Sequence, residues 1–239
     1  MKKAIIIGAS SGIGRALALE MSRAGYTLGL TARRTELLEK LQLSLPNPSF
    51  IETMDIANVE ESVGQLASLV QKMQGVDIII LNSALGLMGI KWEEAEAMIQ
   101  VNIMGTTALA HWSLEYFKGK GYGHIVGISS VAMHRAHRSS IIYSATKSYL
   151  SAYLQGLRHY SEHYKKKITI SDIRPGFVET PMTEQNDPKQ MFWVATAERA
   201  AYYILRAIEK KKAVAYITPR WWILGKVMEY LPDFIMHRF

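Results

Sequence analysis

Short apolar runs alternate with segments of helical periodicity along the whole chain. Several of these runs are continuous Ile, Val or Leu rather than alternating with polar residues, which is typical of a strand covered on both faces. Such coverage indicates a sheet that lies between two layers of helices. The seven predicted strands are Lys3–Gly8, Thr27–Thr31, Ser49–Thr53, Val76–Leu81, His124–Ile128, Ile168–Ile173 and Ala213–Ile217.

Six further segments carry apolar residues at helical spacing. They alternate with the strands, which favours a parallel sheet with helices on both faces, and no linker divides the chain. We therefore predict an α/β fold, a single Rossmann-type doubly wound parallel sheet of about seven strands, over residues 1–218. The predicted helices are Ile13–Ala24, Thr35–Leu43, Val59–Met73, Glu94–Phe117, Ile142–Tyr164 and Ala197–Lys210.

Residues 219–239 form an apolar tail in which Trp221 and Trp222 stand beside basic residues. Because charged residues such as Lys226 and Glu229 interrupt it, the tail is too broken to cross a bilayer. Three interpretations stay open: the tail packs on the same domain near a pocket, covers a neighbouring subunit, or makes a peripheral contact with a membrane.

Composition narrows the classes of function. The 239 residues include no cysteine, which excludes disulfide frameworks, thiolate metal sites and thiol nucleophiles and suits a reducing compartment. Lys2 and Lys3 precede only a short apolar run, so no signal peptide is predicted and a cytoplasmic protein is expected. The formal charge of +7, from 28 Lys and Arg against 21 Asp and Glu, is compatible with nucleic acid, an anionic membrane or a phosphorylated ligand.

A glycine-rich loop follows the first predicted strand and opens the first helix. Glycines permit the sharp turn and the close approach of the backbone to a pyrophosphate, and the helix N-terminus beyond them offers free N–H groups. The spacing is GxxxGxG rather than the more common GxGxxG. The loop therefore predicts a dinucleotide site, with candidate residues Gly8, Ser10, Ser11, Gly12, Ile13 and Gly14.

Two arginines, Arg33 and Arg34, follow the second predicted strand. In a nucleotide-binding fold an acidic residue near this place binds the ribose 2′-hydroxyl, whereas arginine accommodates a 2′-phosphate. After this strand no acidic residue appears before Glu36, and Arg15 adds a further cation just after the glycine loop. The sequence therefore favours NADP(H) over NAD(H).

Tyr143 and Lys147 are four residues apart and lie on one face of a predicted helix. A nearby ammonium favours the phenolate and would bring the pKa of Tyr143 toward the range useful for acid–base catalysis. Ser130 follows a predicted strand and is expected at the carboxyl edge of the sheet, where open α/β sheets bind their ligands.

These motifs resemble those of the classical short-chain dehydrogenase/reductase family over about three-quarters of the chain. The glycine loop is similar to its TGxxxGIG loop, and Asn82-Ser83-Ala84 resembles the start of its NNAG motif, with Ser83 and Leu85 as departures. The remaining positions that match the family's cofactor-binding and catalytic residues are Asp55 with the adjoining Ile56, Asn102, Ser130, Tyr143, Lys147, Pro175, Gly176, Val178 and Thr180.

The resemblance implies a mechanism and a class of partners. It implies hydride transfer between NADP(H) and a carbonyl or secondary alcohol, with Tyr143 as the acid or base and Ser130 as a hydrogen-bond donor to the substrate oxygen. Lys147 would lower the pKa of Tyr143 and hold the nicotinamide ribose, and Asn102 would complete a proton path through water. A homodimer or homotetramer is usual in the family. The alternative is a non-catalytic NADP(H)-binding sensor or scaffold.

The remaining sequence features concern a metal site, a nucleic-acid partner and the nature of the substrate. His134 and His137 have an HxxH spacing, but no third ligand stands near them, so no metal site is predicted. No nucleic-acid partner is predicted either, because the basic residues are scattered along the chain. A fairly apolar small-molecule substrate is expected, on the basis of candidate pocket residues Met88, Met133, Met182, Met191, Phe192 and Trp193, which ordinary core packing explains equally well.

Overall fold

The computed structural model of the protein describes residues 2–87, 91–136, 138, 140–185, 191–230 and 232. Seven strands form one sheet in the order β3-β2-β1-β4-β5-β6-β7, and every neighbouring pair is parallel. This arrangement confirms the predicted fold class. The strands are β1 Lys3–Ile7, β2 Thr27–Ala32, β3 Ser49–Thr53, β4 Ile78–Leu81, β5 Tyr122–Ile128, β6 Lys167–Pro175 and β7 Val214–Ile217.

Helices connect the strands and cover both faces of the sheet. The long central helix predicted from Glu94 starts at Trp92 and contains a π-helical stretch, Gln100–Gly105, between two α-helical parts. An additional helix, α8, occupies part of the tail. The α-helices are α1 Gly12–Arg23, α2 Thr35–Leu43, α3 Val59–Lys72, α4 Trp92–Ile99, α5 Thr106–Lys120, α6 Ile141–His163, α7 Ala197–Glu209 and α8 Trp221–Tyr230.

The hydrophobic core consists of two layers, one on each face of the sheet. Successive strand residues point to opposite faces, so Ile6 packs with Leu17 of α1 and Ile204 of α7, whereas Ile5 packs with Leu69 of α3 on the other side. Burial on both faces explains why inner strands such as β1 and β4 are continuous apolar runs.

The strand order reverses between β1 and β4, which places the ends of these two strands next to each other. In open α/β sheets, ligands bind in the crevice at this switch point, outside the carboxyl ends of the strands. Gly8 follows β1, Asn82 follows β4, Ser129 and Ser130 follow β5, and Gly176 follows β6. The fold therefore gathers the predicted motif residues at one edge.

Within the described part of the chain, no helix has both the length and the apolar character needed to cross a membrane. The division of the chain at residues 218 and 219 stays a prediction.

Candidate active site

A cavity of about 250 Å³ lies along the carboxyl edge of the sheet. Most of the predicted site residues line it, namely Gly8, Ser10, Ser11, Gly12, Ile13, Arg33, Arg34, Asp55, Ile56, Asn82, Ser83, Ala84, Ser130, Tyr143, Lys147, Pro175, Gly176, Val178 and Thr180. Gly14 and Asn102 are not among the lining residues. Lining residues that the motifs did not predict are Ala32, Met54, Leu85, Val101, Ile128, Ser129, Pro181 and Thr183.

The glycine loop forms a tight cradle between β1 and α1. Gly8 adopts a φ of +89°, which a residue with a side chain rarely adopts, and its N–H donates to the carbonyl of Thr31. A Cβ on Gly14 would lie 2.0 Å from the carbonyl oxygen of Gly8, to which the amide of Asn82 also donates at 2.7 Å. Only glycine therefore allows the helix to begin this close to the strand end, with its N-terminus facing the cavity.

Two exposed arginines lie at the opposite wall of the cradle. The guanidinium of Arg34 donates to the hydroxyls of Ser10 and Ser11, both at 3.1 Å, and Arg33 lines the same cavity. Arg15, which the sequence groups with them, is also exposed but lines a separate groove beside α7. The positive charge at this wall of the cavity therefore comes from the end of β2.

Asn102 does not line the cavity but holds a segment that does. It lies buried in the π-helical stretch, and its side-chain oxygen accepts from the Leu85 N–H at 2.8 Å. Its amide nitrogen donates to the Leu85 carbonyl at 2.8 Å and to the Thr146 hydroxyl at 3.0 Å. These bonds occupy the side chain and fix the segment after β4 against α6. The role in a proton path stays a prediction.

Ser130, Tyr143 and Lys147 converge on the cavity from β5 and α6. Lys147 is buried, its ammonium donates to the Ile128 carbonyl at 2.9 Å, and its Nζ lies 5.6 Å from the centre of the Tyr143 ring. Burial lowers the pKa of Lys147 from 10.5 to about 8, and the Asp172 carboxylate opposes that shift.

The pKa of Tyr143 differs from the expectation. Burial of the phenol raises the pKa above its ordinary value, and a hydrogen bond with Ser130 opposes the rise only in part. The sequence predicts a lowering by Lys147, but in this arrangement the ammonium donates to a backbone carbonyl. The cost of placing a phenolate in a buried site therefore outweighs the attraction of the neighbouring cation.

Apolar side chains close the cavity near Tyr143. A Cβ on Gly86 would lie 2.8 Å from the sulfur of Met182 and 3.5 Å from the Tyr143 ring, so these three residues are in close proximity. Met191, by contrast, lines the separate groove. Met133 lies in a short 3₁₀ turn after Ser130, and its carbonyl accepts from the Ser148 hydroxyl.

Aromatic side chains from the tail and from the loop after β6 pack together beside this end of the cavity. Trp221 of α8 contacts Phe177, Phe192 and Trp193, with ring centres 5.2 to 5.7 Å apart. Trp221 is only 2% exposed, whereas Trp222 is 55% exposed. The start of the tail therefore packs on the same chain, near the pocket.

Within the described part of the chain, no group of three or more His, Cys, Asp or Glu side chains is arranged to hold a metal ion. His134 shares a hydrogen bond of 2.8 Å with the Tyr216 hydroxyl, and its ring stacks on the Tyr216 ring. Met88 and His137 lie outside the described residues, as do residues 186–190 of the loop after β6.

Comparison with known proteins identifies the family. A family model described as short chain dehydrogenase matches residues 2–191. The chain belongs to the short-chain dehydrogenase/reductase family. The resemblance noted in the sequence is thereby confirmed, and the protein is an oxidoreductase of this family.

The relatives of this short-chain dehydrogenase/reductase include uncharacterised oxidoreductases of staphylococci. One from Staphylococcus aureus strain USA300 is 34% identical over 194 residues, which cover 78% of this chain and 82% of the relative. One from Staphylococcus epidermidis is 30% identical over 190 residues, with the same coverage of 78% and 82%.

Solved structures have the same fold. An alcohol dehydrogenase from Thermococcus sibiricus, complexed with 5-hydroxy-NADP, is 27% identical with a TM-score of 0.78 and covers 90% of this chain and 94% of its own. A short-chain dehydrogenase/reductase from Burkholderia phymatum in complex with NAD is 20% identical with a TM-score of 0.84, covering 94% and 92%, and this likeness concerns the fold alone.

Proposed function

We propose that this protein is an NADP(H)-dependent oxidoreductase that transfers a hydride between nicotinamide and a carbonyl or secondary alcohol of a fairly apolar substrate. One observation carries the proposal. A single cavity has the arginines Arg33 and Arg34 in its wall and also holds Ser130, Tyr143 and Lys147. A dinucleotide bound along the sheet edge would thus extend from a cationic pocket to an acid–base group.

The residues present fit such a cofactor. The close contact of Gly14 with the Gly8 carbonyl brings the N-terminus of α1 to the cavity, where its N–H groups and dipole favour a pyrophosphate. Arg33 and Arg34 would bind a 2′-phosphate, and their charge supports NADP(H) rather than NAD(H). Solved structures with this fold hold NAD in one case and 5-hydroxy-NADP in another, so the choice of NADP(H) here rests on the two arginines.

The remaining cavity residues fit roles along the two halves of the cofactor. Asp55, Ile56, Asn82, Ser83 and Ala84 would border the adenine and its ribose. A second group, from the segment after β6, would contact the nicotinamide, and its members are Pro175, Gly176, Val178 and Thr180.

The reduced nicotinamide, when bound, supplies the hydride. Tyr143 would donate a proton to the oxygen of the reacting carbonyl, and Ser130 would donate a hydrogen bond to the same oxygen. Lys147 would hold the ribose and provide a positive charge beside the phenol. Since the pKa of Tyr143 is raised, the phenol is protonated near neutrality, which suits proton donation and hence carbonyl reduction.

The apolar surroundings support an apolar substrate. Leu85 and Met182 line the cavity near Tyr143, and the aromatic cluster around Trp221 lies beside the loop after β6. Methionine and leucine offer no fixed hydrogen bonds to a sugar or to a charged group, so they favour aldehydes, ketones or acyl chains.

The test is the oxidation of NADPH and NADH, followed by their absorbance, with aldehydes, ketones and 3-oxoacyl thioesters of graded chain length as substrates. We expect turnover with NADPH and a lower KM for longer apolar substrates. Tyr143→Phe should abolish turnover while NADPH binding stays nearly unchanged. NADPH binding without turnover of any carbonyl would instead support the alternative, a non-catalytic sensor or scaffold.

We also propose that the protein forms a homodimer or homotetramer. The outer faces of α5 and α6 support this, because Tyr149 is partly exposed and stacks on Tyr153, and Trp112 stacks on Tyr116. Sedimentation at micromolar concentration tests the assembly, and Tyr149→Glu should weaken it.

Two expectations about location stay predictions. Cell fractionation would test the cytoplasmic location, and flotation of the intact chain with anionic vesicles would test the peripheral membrane contact through residues 219–239. The control is a chain that ends at Pro219.

A further inference from the structure

A carboxylate that no motif predicts lies directly behind the candidate active site. Asp172 of β6 is fully buried. One of its oxygens accepts a hydrogen bond from the Ser129 hydroxyl, and the other accepts from the Ser151 hydroxyl and from the Arg174 guanidinium, both at 2.7 Å. These four residues come from β5, α6 and β6, so the carboxylate joins three elements that carry or border the site.

Two of its partners are next to groups of the proposed mechanism. Ser129 immediately precedes Ser130, and Ser151 lies one helical turn after Lys147 on α6. The Lys147 ammonium donates to the carbonyl of Ile128, the residue before Ser129. A rotation of the corner after β5 would therefore move Ser130 and the acceptor of Lys147 together, and the bond between Ser129 and Asp172 opposes that rotation.

The opposite charges of Asp172 and Lys147 also link this carboxylate to the candidate site. Among the described residues, Lys147 and Asp172 are the two buried side chains that are formally charged at neutral pH. A buried ammonium is costly without a compensating charge, and the carboxylate of Asp172 favours the charged form of Lys147.

Arg174 prevents the carboxylate from being a lone buried anion. Its guanidinium also donates to the Tyr216 hydroxyl at 2.8 Å, which in turn shares a hydrogen bond with His134. The titratable and charged groups around Lys147 are thus Tyr143 on its own helix, Asp172 and Arg174 on β6, and beyond them Tyr216 and His134.

We propose that Asp172 is a positioning residue of the active site, which fixes the corner that carries Ser130 through Ser129 and supplies the negative charge that favours the ammonium of Lys147. This inference rests on the proposed function for the roles of Ser130 and Lys147. A purely structural role would be limited to the ion pair with Arg174 and would leave the protonation of Lys147 unchanged.

Titration of Lys147 separates the two roles without requiring turnover. The protein is labelled with ¹³C-lysine, and the Lys147 resonance is assigned by its absence in Lys147→Met. In the native chain we expect a midpoint near 8. Asp172→Asn keeps an oxygen that accepts a hydrogen bond but removes the charge, so the midpoint should move down by about one to three pH units.

Ser151→Ala is the matched control. It removes a hydrogen bond to the same carboxylate and leaves the charge, so the midpoint of Lys147 should stay within a few tenths of a unit of the native value. If Asp172→Asn fails to fold, the double variant Asp172→Asn, Arg174→Gln avoids an unpaired, half-buried guanidinium and should shift the midpoint in the same direction.

Several results would overturn the proposal. One is a titration midpoint of Lys147 far below 8 in the native chain. Another is a Lys147 midpoint that stays in place or rises in Asp172→Asn, provided that this variant folds and still binds NADPH. Where a carbonyl substrate is available, we expect Asp172→Asn to lower kcat about tenfold or more, with little change in the KM for NADPH. Absence of any turnover in the native chain contradicts the proposed function, whereas the titration still decides the role of Asp172.

Discussion

The indole of Trp221 packs against Gly176, so closely that a Cβ on this glycine would lie 2.0 Å from the indole atoms Cε2 and Nε1. Gly176 lines the cavity at the end of β6, and Trp221 begins the helix of the tail. The family model ends at residue 191, so the contact joins a motif residue to a segment beyond the matched part. The tail therefore takes part in shaping the wall of the cavity at the end of β6.

Gly176→Ala tests this contact. The added methyl group would displace the indole or the backbone after β6, so we expect a loss of about 1–3 kcal/mol in the free energy of unfolding and a lower kcat/KM. Trp221→Phe provides the space that the methyl group needs. The double variant should therefore lose less stability than the sum of the two single variants, as measured by urea denaturation. Strict additivity would show that the two side chains do not interact.

The arginines at the end of β2 should decide between the two nicotinamide cofactors. We expect the double variant Arg33→Ala, Arg34→Ala to raise the KM for NADPH by about a hundredfold or more, because each lost charge-assisted hydrogen bond to a phosphate costs roughly 1.5–3 kcal/mol and the variant removes both guanidinium groups. The KM for NADH should change little.

Arg15→Ala is the matched control for these arginines, since Arg15 is exposed close by but lines the separate groove. Its KM for NADPH should stay within about twofold of the native value, given that it makes no direct phosphate contact in this proposal. An equal loss in both variants would indicate a general effect of net charge rather than recognition of the 2′-phosphate.

Most of the fold could be predicted from the sequence because the inner strands of the sheet are buried on both faces. That burial selects continuous apolar runs such as the one in β1, and all seven predicted strands are present. Helix α8 escaped prediction for a physical reason. Its exposed residues Trp222 and Ile223 are as apolar as its buried residue Trp221, so the usual contrast between an inner and an outer face is weak.

In the candidate site, too, some residues could be predicted from the sequence and others could not. The place of the glycine loop and of Lys147 at the cavity could be predicted, because both belong to motifs defined by local spacing along the chain. Asp172 could not, because an acidic residue between Ser171 and Ile173 resembles an ordinary polar strand position. Its partners Ser129 and Ser151 come from other elements, and only the three-dimensional pairing of β5, β6 and α6 brings them together.

His124 should make the protein sensitive to acid. It is buried in β5, and burial lowers its pKa from 6.5 to about 4. The Ser171 hydroxyl donates to the Lys212 carbonyl at 2.6 Å and therefore accepts from the Nε2–H of a neutral His124 at 2.8 Å. The unfolded chain takes up the proton first as the pH falls, so stability present above 6.5 is lost between 6.5 and 4.

The expected loss of unfolding free energy over that interval is about 3 kcal/mol, which follows from the size of the pKa shift. His124→Gln should flatten the pH dependence there, whereas His163→Gln, at an exposed position of α6, should not. Urea denaturation at a series of pH values measures both, and an unchanged slope in His124→Gln would contradict the assignment.

We expect Lys147 to be needed for turnover but to lower the free energy of unfolding at pH 7. Its pKa is about 8 in the folded protein against an ordinary 10.5, so the unfolded chain binds the proton more tightly. Burial of the ammonium therefore costs stability at pH 7, and that cost disappears as the pH rises from 8 to 10.5. Lys147→Met should abolish turnover but raise the free energy of unfolding at pH 7 by about 1–3 kcal/mol, with the gain shrinking in alkaline solution.

Lys120 provides the opposite case in the same protein. Burial acts to lower its pKa, but the hydrogen bond and the charge of Asp77, 2.7 Å away, raise it overall. Lys120→Met should therefore lower stability at pH 7 and leave turnover nearly unchanged. Urea denaturation and kinetics of Lys120→Met and Lys147→Met, measured side by side, test this contrast. Removal of Lys120 should lower stability and spare turnover, whereas removal of Lys147 should raise stability and abolish turnover. A Lys147→Met protein less stable than the native chain at pH 7 would show that the ammonium is compensated in full.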